Sequence, residues 1–322
     1  MGRTYFPLPK LQRRIPSIAR ANLICRLLLN LNRDTSMPGF APFAPSLELP
    51  PYVCRNCGFW QRYFEVPPQC PLCLDARHVV PPKGWAFFDA ETARDRFPMH
   101  VEETFPGVFR FWNEPVDGIG SHSYLITTKR GNLLFEGATV YSAAALRFIS
   151  EQGGVSVLAA SHPHTYGALW QIQDSFDPQL VLHPADFKWS SALQITRPFD
   201  DSIEVLDGLT LIHSGVHFAG HTFAYDGHRE ILFCGDALKF DLHPTRPNEA
   251  VAVSTHKAFV RGVPLTKGET QTYLDRFSKL NFTTTCTPFE QVTNFGRREA
   301  VQLCTRFIED HPSPDPQPLN SL

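Results

Sequence analysis

The sequence predicts a mixed α/β domain, sheets covered by helices, preceded by a small four-cysteine knuckle. Three observations predict it: strand and helix patterns that alternate from Val108 onward, two CxxC pairs close together near the start, and histidines that sit at the ends of apolar strands. The 322 residues, 43% of them apolar, are enough for one core of roughly 200 to 250 residues plus a small appendage.

The first segment stands apart in charge. Residues 1–46 carry Arg3, Lys10, Arg13, Arg14, Arg20, Arg26 and Arg33 against one acid, Asp34. Residues 15–31 have the pattern of a basic amphipathic helix, which resembles an organelle transit peptide; a disordered extension is the competing reading, and we expect a cytoplasmic protein. The apolar run at residues 27–31 is far shorter than the roughly 20 residues of a membrane span. A net charge of −2 supplies no field for nucleic acid or an anionic membrane, which leaves a small molecule as the expected partner.

Residues 47–84 form the knuckle. Cys54 and Cys57 make one CxxC and Cys70 and Cys73 a second, so two tight turns offer four thiolates to one ion. That is the tetrahedral set structural zinc prefers, and iron fits it as in a rubredoxin-like site. A closed four-sulfur shell leaves no position for substrate, so the zinc-ribbon module is expected to be structural. A redox dithiol needs only one pair at a helix start. Eight cysteines in a chain this long point to a reducing compartment rather than to four disulfides. Trp60, Tyr63 and Phe64 are expected to pack the knuckle onto the main domain.

Residues 85–310 form that main domain. Strands are expected at residues 123–128 and 133–136 around a turn, a helix at 142–152 with Ser142 as its cap and Gly153-Gly154 as its stop, and a buried strand at 155–160. Further strands follow at 180–182, 203–206, 209–212 and 231–234, and helices at 267–280 and 297–308. A two-residue turn at Asp226-Gly227 closes a hairpin. Prolines 312, 314, 316 and 318 make residues 311–322 a tail without helix or sheet.

The chemistry-bearing residues lie at strand ends. His162 and His164 follow the buried strand in Ser161-His162-Pro163-His164-Thr165-Tyr166-Gly167, spaced to face one ion. His217 and His221 precede the 231–234 strand, and Asp236 follows it. The two-residue turn places His217 opposite Asp236 and sends His221 about 13 Å further along, opposite Leu232. His217 is therefore the expected ligand, and His221 in Gly220-His221-Thr222 stays open as its rival.

An HxH after a buried strand, a His-x-x-Gly loop and a late Gly-Asp resemble the metallo-β-lactamase superfamily over residues 108–290. HPHTYG, CRNCG, CPLC and HFAGH are similar to a branch of that superfamily read as metallohydrolases. The resemblance implies an αββα sandwich with metal at one edge. It also exposes departures from HxHxDH: Tyr166 stands at the aspartate, Gly167 at the next histidine, Glu136 at a strand-end aspartate, and residues 286–290 where a late histidine belongs. A two-metal clamp is not expected.

Three readings remain. In the first, His162, His164 and His217 hold one zinc, with Asp236 as a fourth ligand or with an open position for water, and a zinc-bound water near pKa 7 attacks an ester, thioester or amide, with Tyr166 donating to the oxyanion. In the second, His162, His217 and Asp236 hold ferrous iron, resembling the persulfide dioxygenases. In the third, the fold binds without catalysing. His122, His183, Lys239 and His256 are candidates for the pocket mouth, and Trp170 and Trp189 for its wall or for core.

Overall fold

The computed structural model describes residues 49–310, 313 and 315–322, so the expected basic helix at 15–31 and the extension 1–46 lie outside the described residues. Residues 49–322 form one compact unit. At its start β1 (Pro51–Cys54) pairs antiparallel with β2 (Trp60–Arg62) and β3 (Phe87–Asp89). Helix α1 (Ala90–Arg96) follows, its first turn satisfied by the Asp89 side chain, which accepts from the Thr92 N–H.

A seven-stranded sheet comes next, with β4 (Met99–Phe105), β5 (Val108–Asn113), β6 (Ser123–Thr128), β7 (Gly131–Phe135), β8 (Val157–Ala159), β9 (Gln179–Leu182) and β10 (Arg197–Pro198) in spatial order. Its first four strands are antiparallel. From β7 to β10 the pairing is parallel, and α2 (Ala143–Glu151) and α3 (Leu169–Phe176) supply the first two crossovers that parallel strands require. A six-stranded sheet runs β11 (Ser202–Leu206), β12 (Leu209–His213), β13 (Thr222–Asp226) and β14 (Ile231–Phe233), then β17 (Thr284–Cys286) and β18 (Gln291–Val292). Between these lie β15 (Lys239–Leu242) and β16 (Ala250–Ser254), which form a third sheet with β19 (Gln317–Pro318). Helix α4 (Lys267–Phe277) lies between β16 and β17, and α5 (Arg297–Glu309) between β18 and β19.

Three apolar clusters show how these elements are layered. Side chains alternate along a strand, so each sheet has two faces to bury. Tyr124, Ile126, Leu133, Phe135 and Val157 from the first sheet share a cluster with Leu209, Leu211, Ala224 and Phe233 from the second. Leu125, Leu134, Leu158 and Leu180 point the other way, onto Ala145 and Ile149 of α2 and Leu169 and Ile172 of α3. On the far face of the second sheet Phe223 and Leu232 meet Tyr273 and Phe277 of α4 and Leu303 and Phe307 of α5. Helix, sheet, sheet and helix therefore stack in four layers, the αββα order expected.

The knuckle belongs to the same mass. Cys54, Cys57, Cys70 and Cys73 share the apolar cluster of α2 and α3, and Trp60 stands edge-on to Trp170 at 5.2 Å while its Nε1 donates to the Thr139 carbonyl at 2.8 Å. Trp170 is thus core. Tyr63 and Phe64, expected to pack beside Trp60, instead face solvent, at 39% and 82% exposed.

Two further expectations are corrected, and one strand was not expected at all. The hairpin between β13 and β14 does not turn on two residues: Ala224 pairs with Phe233, Tyr225 with Leu232 and Asp226 with Ile231, leaving a four-residue loop at 227–230. The Asp226 carboxylate organises that loop, accepting from the N–H groups of His228 and Arg229 at 3.0 Å each and from Arg229 Nη1 at 2.6 Å. The tail is not structureless either, because Gln317 and Pro318 pair with Val253 and Ala252. Proline is tolerated there because β19 is a sheet edge needing no further donor. Lastly, β4 was not foreseen; His100 and Glu102 break its apolar pattern. Among the described residues no helix is long and apolar enough to cross a membrane.

Phe233 bridges the two sheets, with ring centroids 5.1 Å from Tyr124 and 6.2 Å from Phe135. Phe233→Ala is expected to cost about 3 to 5 kcal/mol in urea unfolding; a loss under about 1 kcal/mol would show that the inter-sheet core does not hold the layers together.

Candidate metal centre

The site assembles where strands of both sheets end. After β8 the chain passes through His162 in extended conformation and makes one 3-10 turn, Pro163–Thr165. Glu136, at the end of β7 with φ +65°, fixes that turn: its Oε2 accepts from the Ser161 N–H at 2.9 Å and from Thr165 Oγ1 at 2.5 Å. Burial pushes its carboxyl up to about 8. The expected replacement for a strand-end aspartate thus braces the histidine turn from beneath.

His217 and His221 lie in the connection 214–221 between β12 and β13, before the strand that was expected to carry the register. This connection is tied down by Ser214, whose N–H donates to the His221 carbonyl at 2.7 Å, and by the Thr222 N–H donating to the Ser161 carbonyl at 2.9 Å. Asp236 sits in the short turn Gly235–Ala237 after β14. Gly235 has φ +53°, and a Cβ there would stand 2.4 Å from the Ser161 side chain and 2.7 Å from His221 Nε2. The two strand ends can approach this closely only without that side chain.

The structure brings His162, His164 and His217 together, with one ligand atom of each within 4.8 Å of the others. Asp236 Oδ2 joins them, 3.5 Å from His162 Nε2 and 3.7 Å from His217 Nε2. His217 therefore meets Asp236 as expected, but through a loop and not by the two-residue register. His221 is not 13 Å away as that register required: its ring lies 5.4 Å from that of His162 and 5.9 Å from that of His217. It stands behind the trio, its Nδ1 held by Ser214 Oγ.

The residues fit a metal ion. Nε2 of His162, His164 and His217 is buried in each case with no hydrogen-bond partner among the described residues, an arrangement that costs about 1 to 3 kcal/mol per group unless something binds there. Burial keeps all three rings neutral, pushing His162 down to about 3 and His164 and His217 well below the ordinary imidazole value. Burial likewise raises Asp236. Two ligands each about 2.0 to 2.1 Å from a tetrahedral zinc stand about 3.3 to 3.4 Å apart, close to the separations from Asp236. Ser161 Oγ holds Nδ1 of His162 at 2.8 Å, which turns Nε2 toward the others.

The knuckle offers a second cluster, the buried Sγ atoms of Cys54, Cys57, Cys70 and Cys73 lying within 4.8 Å of one another. Burial drives the Cys57 thiol well above its usual value; coordination is what deprotonates such a group. All seven cysteines among the described residues are free.

A cavity of about 330 Å³ opens beside His164 and His217 and is lined by them together with Asp236, Lys239, Leu238, Phe259, Phe289 and Glu290, while His162 is fully buried behind it. Of the residues expected at its mouth only Lys239 lines it. His256 lies beside the site, its carbonyl 3.4 Å from His217 Nδ1. His183 is elsewhere, stacked on His213 at 3.7 Å. His122 packs near Trp112. Tyr166 is corrected as an oxyanion donor: its side chain is buried in the cluster with Leu169 and Trp170, outside the cavity lining. Trp189 stands 6.4 Å from Phe218 and lines no part of the cavity. Arg77 and His78, from the knuckle, do line it. Glu290 lines it too, and burial pushes its carboxyl up to about 7. Sequence reasoning missed all three; the closeness of Arg77 and His78 to Cys73 was the available signal.

No family model matches the chain. A curated relative, the uncharacterized protein YmaE of Bacillus subtilis, is 24% identical over 276 residues, 81% of this chain and 97% of that protein. Among solved structures, the metallo-β-lactamase FIM-1 from Pseudomonas aeruginosa in its mono-zinc form is 15% identical, with a TM-score of 0.47 over 66% of this chain and 95% of that one. The metallo-β-lactamase family protein TTHA1429 from Thermus thermophilus is 17% identical, with a TM-score of 0.44 over 65% and 80%. VMB-1 is 9% identical, with a TM-score of 0.48 over 65% and 97%.

Two predictions follow from this geometry. Glu136→Ala leaves the buried Ser161 N–H without its acceptor and leaves Thr165 Oγ1 to the His162 carbonyl, so urea unfolding is expected to show a loss of about 1 to 3 kcal/mol; an unchanged midpoint would mean the brace is idle. His122, pushed down to about 3 by burial with Arg110 nearby, stays neutral in the folded state while the unfolded chain protonates near 6.5. Between those values the unfolded state binds the extra proton, so stability falls as pH falls. His122→Gln should flatten that acid slope by about 1 kcal/mol per pH unit in chemical unfolding from pH 6 to 4, and an equal slope in both proteins would refute it.

Proposed function

We propose that the chain is a metallohydrolase of metallo-β-lactamase type in which His162, His164 and His217 hold a single zinc ion, its fourth position open to water beside Asp236, and the cavity admits a small ester, thioester or amide. The observation that carries this is the convergence of three neutral, unpartnered Nε2 atoms and one carboxylate at the base of a cavity whose wall includes His164, His217 and Asp236. A zinc ion bound there supplies a Lewis acid that polarises a carbonyl and brings the pKa of water near 7.

The chain's own groups do the rest. Ser161 Oγ orients His162, and Glu136 holds the turn that carries it and His164. Leu238, Phe259 and Phe289 exclude bulk water and favour a substrate with an apolar body. Glu290 stands in the wall with its carboxyl pushed up to about 7 by burial, a value suited to passing a proton to a leaving group near neutrality. Lys239, also in the wall, is available to a negatively charged oxygen of the substrate. The knuckle takes zinc as a structural ion, and its four sulfurs together with the other buried thiols suit a reducing, cytoplasmic setting.

A ferrous oxygenase using His162, His217 and Asp236 is the second reading, favoured by the short separations of those two imidazoles from Asp236. The hydrolase takes precedence because His164 lies within the same cluster as a third imidazole.

Elemental analysis of the full chain tests the assignment. We expect two ions per chain, zinc in the cavity, with His162→Ala losing that ion and hydrolysis of aryl ester and thioester substrates together while keeping the knuckle ion. Iron in the cavity would favour the oxygenase. A single ion that disappears with Cys54→Ser and Cys57→Ser would leave the histidine centre without a metal and end both readings.

A further inference from the structure

The knuckle reaches the histidine centre through one side chain. Arg77 lies just past Cys73 in the turn after the second CxxC. Its Nε and Nη2 are gripped by the two oxygens of Asp75, at 2.7 Å each, so the guanidinium is fixed before it meets anything else. The remaining arm, Nη1, donates to the His217 carbonyl at 3.2 Å, and Cζ lies 3.6 Å over the ring of Phe218. His78, next in the chain, places its ring 5.2 Å from that of His164.

This turn is in turn locked to the sulfurs. Asn56, between Cys54 and Cys57, donates to Cys73 Sγ at 3.3 Å and to the Val79 carbonyl at 2.9 Å. Arg261 Nε donates to the His78 carbonyl at 3.0 Å from the main domain. One chain of contacts therefore runs from the four thiols, through residues 75–79, to the backbone of one imidazole and the ring of another.

His217 needs such a support. The connection 214–221 forms no strand; its Phe218 and His221 carbonyls accept backbone N–H groups from within it, whereas those of Val216 and His217 are met from outside, and a ligand on a loop held only at its ends samples positions a metal cannot use. Two cations satisfy successive carbonyls there. Lys257 Nζ, paired with Glu269, donates to the Val216 carbonyl at 2.7 Å, and Arg77 takes the His217 carbonyl next to it. Of these two, only Arg77 comes from the knuckle.

We propose that Arg77 is a positioning residue for His217, and that through it a metal ion in the four-cysteine knuckle raises the affinity of the histidine centre for its own metal. This rests on the reading of His162, His164 and His217 as ligands. The coupling is reciprocal by linkage: an ion at either site favours the arrangement that the other requires. The knuckle then acts as a fitted part of the second site and not only as a fold stabiliser, and a chain that loses its knuckle ion loses its second ion as well.

The test measures metal affinity in the full chain, by competition with a chromophoric chelator for zinc, with the knuckle kept filled. Arg77→Ala is expected to weaken zinc at the histidine centre about 10- to 100-fold while the knuckle ion stays bound, the range seen when a group that orients a ligand is removed. Arg77→Lys keeps the positive charge but cannot grip Asp75 with two arms and reach the carbonyl with a third, so it should fall between wild type and alanine. Cobalt substituted at the centre gives a second readout, since its visible spectrum reports ligand geometry independently of activity.

Affinity within about twofold of wild type in Arg77→Ala, with both ions present, overturns the inference and leaves the site assignment standing. A wild type that holds only the knuckle ion overturns both together. If Arg77→Ala loses the knuckle ion as well, the lysine variant decides, and wild-type affinity there counts against the proposal.

Discussion

Everything at this site follows from burying imidazoles that have nowhere to send one of their nitrogens. A neutral ring turned into an apolar interior with a free lone pair is costly, and here Nε2 of His162, His164, His217 and His221 are all in that condition. The cost is concentrated at one point because β8, β12 and β14 all end there, each delivering its ligand or the connection that holds it just past the last strand residue. A fold can afford such a cluster only where the surrounding backbone is held rigidly, and the contacts around it are arranged to do that.

The supports are of three kinds. From below, the Glu136 carboxylate takes the Ser161 N–H and the Thr165 hydroxyl, so a charged or shared-proton group fixes the turn carrying His162 and His164. From within, Gly235 leaves room for the second sheet's strand end to touch Ser161. From outside, Arg77 and Lys257 hold the carbonyls of the loop that carries His217. None of these groups is one of the proposed ligands. Together they explain why a loop residue can stand as steadily as the two that follow a strand.

Much of this scaffold is legible in the sequence because it depends on local patterns. Ser142 caps α2, the span of β6 is bounded by polar residues, and the helices at 267–277 and 297–309 are periodic enough to be placed by eye. What local pattern does not carry is loop length and reach through space. The Asp226-Gly227 pair reads as a tight turn, yet the Asp226 carboxylate spends its hydrogen bonds on His228 and Arg229 and opens the loop to four residues. The register changes by that much, and His221 moves from the far end of the strand to the rear of the site. Arg77 and His78 come from a module that sequence reasoning set apart from the histidines, and Glu290 lies in the segment 286–290, which was weighed only for a missing histidine. Tyr63 and Phe64 erred the other way, since aromatic character says that a residue can be buried and not that a partner surface exists.

The same packing fixes the backbone path beside the histidine turn. Gly167, where a second-metal histidine would stand in the resembling superfamily, has φ +42°, and a Cβ there would lie 2.3 Å from the Ala138 carbonyl and 2.5 Å from that of Gly137. Gly137 answers it, since a Cβ on that residue would stand 2.2 Å from the Tyr166 carbonyl. Two backbones therefore run in contact through the space a histidine side chain would need, and Tyr166 turns its ring away into the core. Restoring the missing ligands by substitution at 166 and 167 would require these two segments to separate. The closeness of Gly137 to Tyr166 and Gly167 is thus a property of the backbone path, and it holds the turn that carries His162 and His164 against the end of β7.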